Sequence, residues 1–112
     1  MSYDIRLEIA VDTGGSEPHR ICPADIGNMT SNVSSMWDDA LGSPLAKLDG
    51  RTAGNVAPDL RRAVIDMELH PAIYRAMEPV NGWGSYDGAL DYLRRLADAC
   101  TRHPKATIRI SH

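Results

Sequence analysis

The chain has 112 residues, the usual length of one folded domain, and residues 1–112 are treated as a single domain. With 43% hydrophobic and 24% charged residues, its composition argues against a disordered, collagen-like or coiled-coil protein. A formal net charge of −3 argues against a nucleic-acid partner, because nucleic-acid-binding proteins use clustered Lys and Arg to neutralise phosphates. The aromatic residues are four Tyr and two Trp with no Phe, so we expect a mainly aliphatic core.

The sequence contains no run of about 18 apolar residues, the length that a membrane-spanning helix needs. Asp4 and Glu8 occupy the stretch where a signal peptide would carry basic and then apolar residues. We therefore expect a cytoplasmic protein with no membrane partner, in which Cys22 and Cys100 remain thiols.

Two segments show the alternation of apolar and polar residues that is typical of strands with one buried face. They cover residues 4–12 and 106–110, so both ends of the chain are predicted to lie in one sheet. Residues 13–18, with adjacent glycines, are predicted to reverse the chain. Residues 19–22 are a candidate for a short antiparallel partner of the first strand, ended by Pro23.

Three segments between these strands carry apolar residues at helical spacing, over residues 33–41, 56–67 and 86–100. Shorter turns are predicted over residues 44–49 and 71–77. This order predicts an α+β fold, in which a small antiparallel sheet of the N- and C-terminal strands carries three to four helices on one face.

Capping residues predict where the helices begin. Ser31 or Asn32 is the predicted N-cap of the first helix, and Ser85 that of the third. For the second helix the predicted N-cap is Asn55, which places Pro58 in the first turn, where its missing N–H is harmless.

Four residues have the types and spacing of zinc ligands. They form two mirrored pairs, His19 with Cys22 and Cys100 with His103. The alternative is that Cys100 is a core residue of the third helix and His103 a cation favoured by the dipole at its C-terminus. The second interpretation is preferred, so this set is only a weak metal candidate and we expect no cofactor.

No catalytic constellation is apparent in the sequence. A nucleophilic enzyme needs Ser or Cys beside a His that an acid orients, and the Gly-x-Ser-x-Gly motif is absent. Both cysteines lie in apolar stretches, where burial would raise the thiol pKa and reduce reactivity. We expect a non-enzymatic protein. A small hydrolase or lyase, using for example His70 or His103, is a less favoured alternative.

Two polar, turn-rich segments open helices and are the best candidates for a ligand site. Residues 28–32 contribute Asn28, Thr30 and Asn32, and residues 81–86 contribute Asn81, Trp83 and Tyr86. Asn and Thr side chains can pair with base edges or sugars, while aromatic rings offer stacking faces. The alternative is that these residues cap helices and anchor a buried tryptophan.

The chain resembles a group of small, uncharacterised proteins encoded by phages and prophages. The resemblance lies in the opening Met-Ser-Tyr-Asp-Ile-Arg-Leu, the Asn-x-Thr-x-Asn-Val-x-x-Met-Trp segment at 28–37, the Pro-x-x-Tyr-Arg-Ala stretch at 71–76 and the Asn-Gly-Trp-Gly-Ser-Tyr block at 81–86. It also covers Ala-Cys at 99–100 and His-Pro at 103–104, but not His19 and Cys22. Phage accessory proteins of this size are often counter-defence factors, which by analogy implies action in the host cytoplasm.

Together these features predict a counter-defence protein that sequesters a small nucleotide-like signalling ligand. Trp83 or Tyr86 would stack on the ligand, with Trp37 also among the predicted ligand-binding residues. The Asn and Thr side chains would supply hydrogen bonds, and Arg61, Arg62 or Arg75 would bind phosphate. We expect a homo-oligomer, because small binders often complete their pockets across an interface. The alternative is a protein-interaction module that inhibits a host enzyme through exposed helix faces.

Overall fold

The computed structural model describes residues 2–12 and 14–112; Met1 and Thr13, the latter in the predicted reversal, lie outside the described residues. The strands are β1 (Ser2–Val11), β2 (His19–Thr30) and β3 (Thr107–Ser111), which form an antiparallel sheet in the order β2-β1-β3. β1 is central because it pairs with β2 on one side and β3 on the other. Every second residue of β1 is apolar, and Tyr3, Ile5 and Leu7 are buried. The predicted pairing of the two chain ends is confirmed, with Ile5 opposite Ile110 and Leu7 opposite Ile108.

β2 is much longer than the predicted residues 19–22, and the prediction that Pro23 ends it is wrong. Two irregularities in its pairing with β1 explain this. The register shifts between Leu7 and Ile9, where β2 has an extra residue beside Pro23, and again between Ile5 and Arg6. β2 is also an edge strand of the sheet, and proline is tolerated at edges and bulges because no ladder hydrogen bond is lost there.

The helices are α1 (Ser34–Leu41), α2 (Ala53–Leu69), α3 (Pro71–Arg75) and α4 (Tyr86–Arg102). Short 3₁₀ turns at Ser31–Val33 and Leu45–Leu48 precede α1 and α2. The α+β prediction is confirmed: four helices accompany a three-stranded antiparallel sheet. Within the described chain, no helix combines the length and the apolar character needed to cross a membrane.

The predicted cap of α4 is confirmed, because the Ser85 hydroxyl accepts a hydrogen bond from the Gly88 N–H. The other two predicted starts are wrong. Thr30, not Ser31 or Asn32, caps the first 3₁₀ turn by accepting from the Asn32 N–H.

The second helix begins before Asn55, because the preceding residues are tied to the edge of β3. The Gly50 N–H donates to the Ile108 carbonyl, and the Ala53 N–H donates to the Ala106 carbonyl at 2.8 Å. Pro58 therefore lies inside α2 rather than in its first turn.

The core lies between the helices and one face of the sheet, and it uses more aromatic rings than expected. Trp37 is completely buried; its ring stacks on Tyr92 with 5.4 Å between centroids and meets Tyr3 edge-on. The indole N–H donates to the Ala89 carbonyl at 3.0 Å, so α1 is fixed to α4. The opposite face of the sheet carries Asp4, Arg6 and Glu8 and is open to solvent.

Candidate functional site

The most exposed aromatic side chain lies in the loop between α3 and α4. We call residues 78–85 the tryptophan loop. Trp83 is 71% exposed, and Val80 is fully exposed. Large apolar side chains at the tip of an ordered loop are common in interaction surfaces, where their burial by a partner supplies binding energy.

Side-chain amides hold the backbone on both sides of Trp83. The Asn32 Nδ2 group donates to the Trp83 carbonyl at 3.2 Å, and the Asn81 Oδ1 atom accepts from the Trp83 N–H at 3.0 Å. The first bond joins residues that are 51 positions apart in the sequence. The two polar segments singled out in the sequence therefore meet in the fold, and the indole ring is displayed on a restrained backbone.

Gly84 brings the tryptophan loop close to the start of the 3₁₀ turn. Its φ of +127° is in a region that other residues rarely adopt. A Cβ atom at this position would lie 2.7 Å from Val33 Cγ1 and 3.2 Å from Thr30 Cγ2. Glycine is therefore required here both by its backbone conformation and by the close packing.

The N-terminal end of the loop is held against the start of α4. The Glu78 carboxylate accepts from the Tyr86 N–H at 2.8 Å. The Arg75 guanidinium lies 4.7 Å from the centroid of the Tyr86 ring, and its Nη2 atom is 3.2 Å from an Asp87 carboxylate oxygen. Arg75 is thus the one arginine of the predicted set for which the structure records contacts at this end of α4, and its charge is already paired.

Two of the predicted aromatic ligand contacts are wrong. Trp37 has no exposed surface, because a core without Phe uses its ring to fill the space between α1 and α4. Tyr86 is buried as well, and its hydroxyl donates to the Met67 carbonyl at 2.6 Å. Only Trp83 of the three predicted rings is available for stacking.

The remaining predicted ligand residues are distributed over other surfaces. Asn28 lies on β2 opposite Asp4 and donates to the Ser2 hydroxyl at 3.0 Å. Arg61 lies in the groove between α2 and α4, where its Nε donates to the Thr101 hydroxyl at 3.0 Å. Arg62 is exposed on α2. The structure therefore does not gather the predicted polar, aromatic and arginine residues into one pocket.

Three cavities lie away from the tryptophan loop. Cavities of about 280 Å³ and 360 Å³ lie along the α2–α4 groove, with Arg61 lining both. A smaller one of about 110 Å³ lies on the open face of the sheet. None of these three cavities is lined by Trp83, Asn32 or Asn81. Small-molecule sites are usually concave, so these residues lie outside the usual kind of small-molecule site.

The weak zinc candidate is contradicted by the positions of its ligands. His19 and Cys22 are exposed on β2, whereas Cys100 is completely buried in α4. Burial raises the pKa of the Cys100 thiol to about 11, which disfavours the thiolate that zinc requires. Among the described residues, no group of three or more His, Cys, Asp or Glu side chains is placed to hold a metal ion.

His70, a residue on which a hydrolase or lyase could depend, belongs to a cluster that joins α3 to α2. Its Nε2 atom is 3.8 Å from one Asp66 oxygen, and the Tyr74 hydroxyl donates to the other. Burial and the Asp66 carboxylate both raise the pKa of Tyr74, so the hydroxyl stays protonated. The cluster supplies a packing contact for α3, and the hydrogen bond to Tyr74 engages the carboxylate that would orient His70.

Sequence inspection missed a group of charged residues on the open face of the sheet. Arg6, Glu8 and Arg109 alternate with buried apolar residues on β1 and β3, and Arg20 lies on β2. Alternation alone shows that the first three face solvent, but only the strand register brings them together.

Comparison with known proteins identifies no relative. No protein-family model matches the chain, and no curated protein or solved structure shows significant similarity to it.

Proposed function

We propose that this chain is a non-enzymatic protein-interaction module that anchors a partner protein through the tryptophan loop. The observation that carries the proposal is the exposed Trp83 ring on a backbone restrained by Asn32 and Asn81. Val80 extends the apolar surface of the same loop.

The energetics favour a protein surface as the occupant. Covering about 150 Å² of the indole ring is worth about 4 kcal/mol before the costs of association, at about 25 cal/mol per Å². Tryptophan is enriched among the few residues that dominate binding energy at protein interfaces. A loop whose backbone is already hydrogen-bonded loses little additional entropy on binding. More of the energy of burial therefore remains as net binding free energy.

The resemblance to phage and prophage proteins supports a host protein as the partner. The exposed faces of α2 and α4, proposed from sequence as the contact surface, offer Ile65 and Leu69 as exposed apolar side chains, each smaller than the indole ring of Trp83. Their charged side chains are largely paired with each other, as in Arg94 with Glu68 at 3.0 Å and Arg95 with Asp91 at 3.1 Å. Such surface ion pairs contribute little binding energy.

Sequestration of a small nucleotide-like ligand is the second candidate function. It is favoured by the contact of Asn32 with Trp83, because hydrogen-bonding amides and a stacking face then adjoin. It is ranked second because the Asn32 and Asn81 amides already form hydrogen bonds with the loop backbone. In addition, none of the three cavities is lined by Trp83.

The test compares Trp83→Ala with a matched control, Leu69→Ala, which removes a similarly exposed apolar side chain from α2. A photo-crosslinker at Val80 captures the partner from host lysate, and the purified partner is then titrated against each variant. We expect Trp83→Ala to weaken binding about 30-fold, the effect of losing about 2 kcal/mol at a dominant contact. Leu69→Ala should bind normally, and both should unfold cooperatively.

Equal affinity of Trp83→Ala and the unmodified chain for that partner would refute the proposal. Calorimetry against cyclic dinucleotides and cyclic ADP-ribose variants tests the second candidate. Saturable binding of one of these compounds that Trp83→Ala abolishes, without any protein partner, would replace the first function by the second.

A further inference from the structure

The open face of the sheet carries three arginines that converge on one glutamate. Arg6 on β1 lies directly opposite Arg109 on β3. Glu8 is the next residue of β1 that faces the same side, and Arg20 reaches it from β2, where it pairs with Ala10. The antiparallel register is what gathers residues from all three strands at this position.

Glu8 holds two of the guanidinium groups through their Nε atoms. Arg6 Nε donates to Glu8 Oε2 at 3.1 Å, and Arg109 Nε donates to Glu8 Oε1 at 3.1 Å. Arg20 is held more loosely, with Nη1 4.0 Å from Oε1. Because the pairing uses the Nε atoms, the terminal Nη groups of Arg6 and Arg109 are not required for it.

The positive charge of the cluster exceeds its negative charge. The hydrogen bond from Arg6 is the main cause of a lowered pKa at Glu8. Burial opposes it and the hydrogen bond from Arg109 adds to it, so Glu8 stays ionised. Asp25 lies opposite Arg6 in the register and offsets part of its charge, although one Asp25 oxygen accepts from the Gly27 N–H. With only Glu8 and Asp25 set against three arginines, the cluster as a whole keeps a net positive charge.

A cavity of about 110 Å³ opens between these two arginines, lined by Glu8, Ala10, Arg20, Thr107 and Arg109. The cavity is open to solvent on one side, so it can hold a small oxyanion while the rest of a larger ligand stays outside it. Guanidinium groups bind phosphate oxygens through paired N–H donors, and the Thr107 hydroxyl is one more potential donor.

We propose that this cavity is a binding site for a phosphate group, either free or at the end of a small metabolite, with Arg109 and Arg20 as its ligands. Glu8 positions Arg109 by accepting the hydrogen bond from its Nε atom. The net charge of −3 for the whole chain favours a small phosphate over a nucleic acid, because a polyanion would be repelled by the remainder of the surface.

The test is calorimetric titration with inorganic phosphate, pyrophosphate and phenyl phosphate at constant ionic strength. The variants are Arg109→Gln and Arg20→Gln. The control is Arg62→Gln on α2, where Arg62 is as exposed as Arg20 and lies 3.9 Å from Asp59. Because Arg20 is outside the core, Arg20→Gln should also unfold at the same denaturant concentration as the unmodified chain.

We expect saturable binding of at least one of the three compounds, weakened at least tenfold by each cluster variant and unchanged by Arg62→Gln. Free phosphate binding as well as phenyl phosphate would indicate an inorganic anion site, whereas preference for the ester would indicate a metabolite. The absence of saturable binding, or an equal loss in Arg62→Gln, would overturn the proposal. Tighter binding of a short single-stranded oligonucleotide, again lost in Arg109→Gln, would overturn the small-molecule assignment.

Discussion

Replacement of Gly84 by Ala tests whether packing fixes the tryptophan loop. The backbone at φ +127° disfavours any residue with a Cβ, at a cost of about 1–3 kcal/mol. The new Cβ would also lie 2.7 Å from Val33 Cγ1, and Val33 is completely buried, so it has little room to move. Overpacking of this kind costs about 1–3 kcal/mol. We therefore expect Gly84→Ala to lower the free energy of unfolding by about 3 kcal/mol.

The matched control is Gly82→Ala in the same loop. Gly82 also has a positive φ of +76°, but a Cβ there would meet no atom within 4 Å. Only the cost of a positive φ for a residue with a Cβ applies, so we expect the free energy of unfolding to fall by about 1 kcal/mol. Urea unfolding followed by circular dichroism measures both values. Quenching of tryptophan emission by iodide, which reaches exposed Trp83 but not buried Trp37, reports whether the loop stays in place. If the two variants have the same unfolding midpoint and the same quenching of emission, the close packing of Gly84 on Val33 and Thr30 contributes nothing to stability or to the position of the loop.

Three further predictions concern buried groups. Pro71 has no N–H to donate to the Met67 carbonyl at the end of α2, and the Tyr86 hydroxyl donates to it instead. Tyr86→Phe leaves this buried carbonyl without a donor and should lower the free energy of unfolding, measured in urea, by about 1–3 kcal/mol. In native protein a thiol reagent should modify exposed Cys22 at once and buried Cys100 more than about 100-fold more slowly, since access to Cys100 requires opening of the core. Burial raises the Cys100 pKa from 9.0 to about 11, so the native state retains a proton that the unfolded state releases. The resulting stability is present below pH 9 and lost as the pH rises through 11, and urea midpoints of Cys100→Ala should lack this component.

Local sequence patterns were sufficient for most of the fold. Alternation identified β1 and β3, and the spacing of apolar residues with Ser85 as cap located α4. The predicted extent of β2 is too short because proline normally ends a strand. Nothing in the local pattern reveals that an edge position and a register shift make Pro23 harmless. The early start of α2 could not be predicted for a similar reason, since the hydrogen bonds from residues 50–53 to β3 are long-range contacts.

The candidate site was only partly predictable for a related reason. Composition singled out Asn32, Asn81 and Trp83 as polar and aromatic residues in turn-rich segments, but their meeting depends on a contact across 51 positions. Trp37 was assigned to the ligand because an aliphatic core was expected to be sufficient. A chain that lacks Phe instead places this tryptophan in its core with Tyr3 and Tyr92.

The two proposed binding surfaces are far enough apart to function independently. The tryptophan loop packs on Thr30, which pairs with Ser2 at the start of β1, whereas the arginine cluster surrounds Glu8. Glu8 lies six positions further along β1 than Ser2, which corresponds to about 20 Å. One small nucleotide cannot bridge that distance, so a phosphate held by Arg109 does not belong to a base stacked on Trp83. Residues this far apart and without shared partners have additive effects. Phosphate binding should therefore survive Trp83→Ala, and partner binding should survive Arg109→Gln.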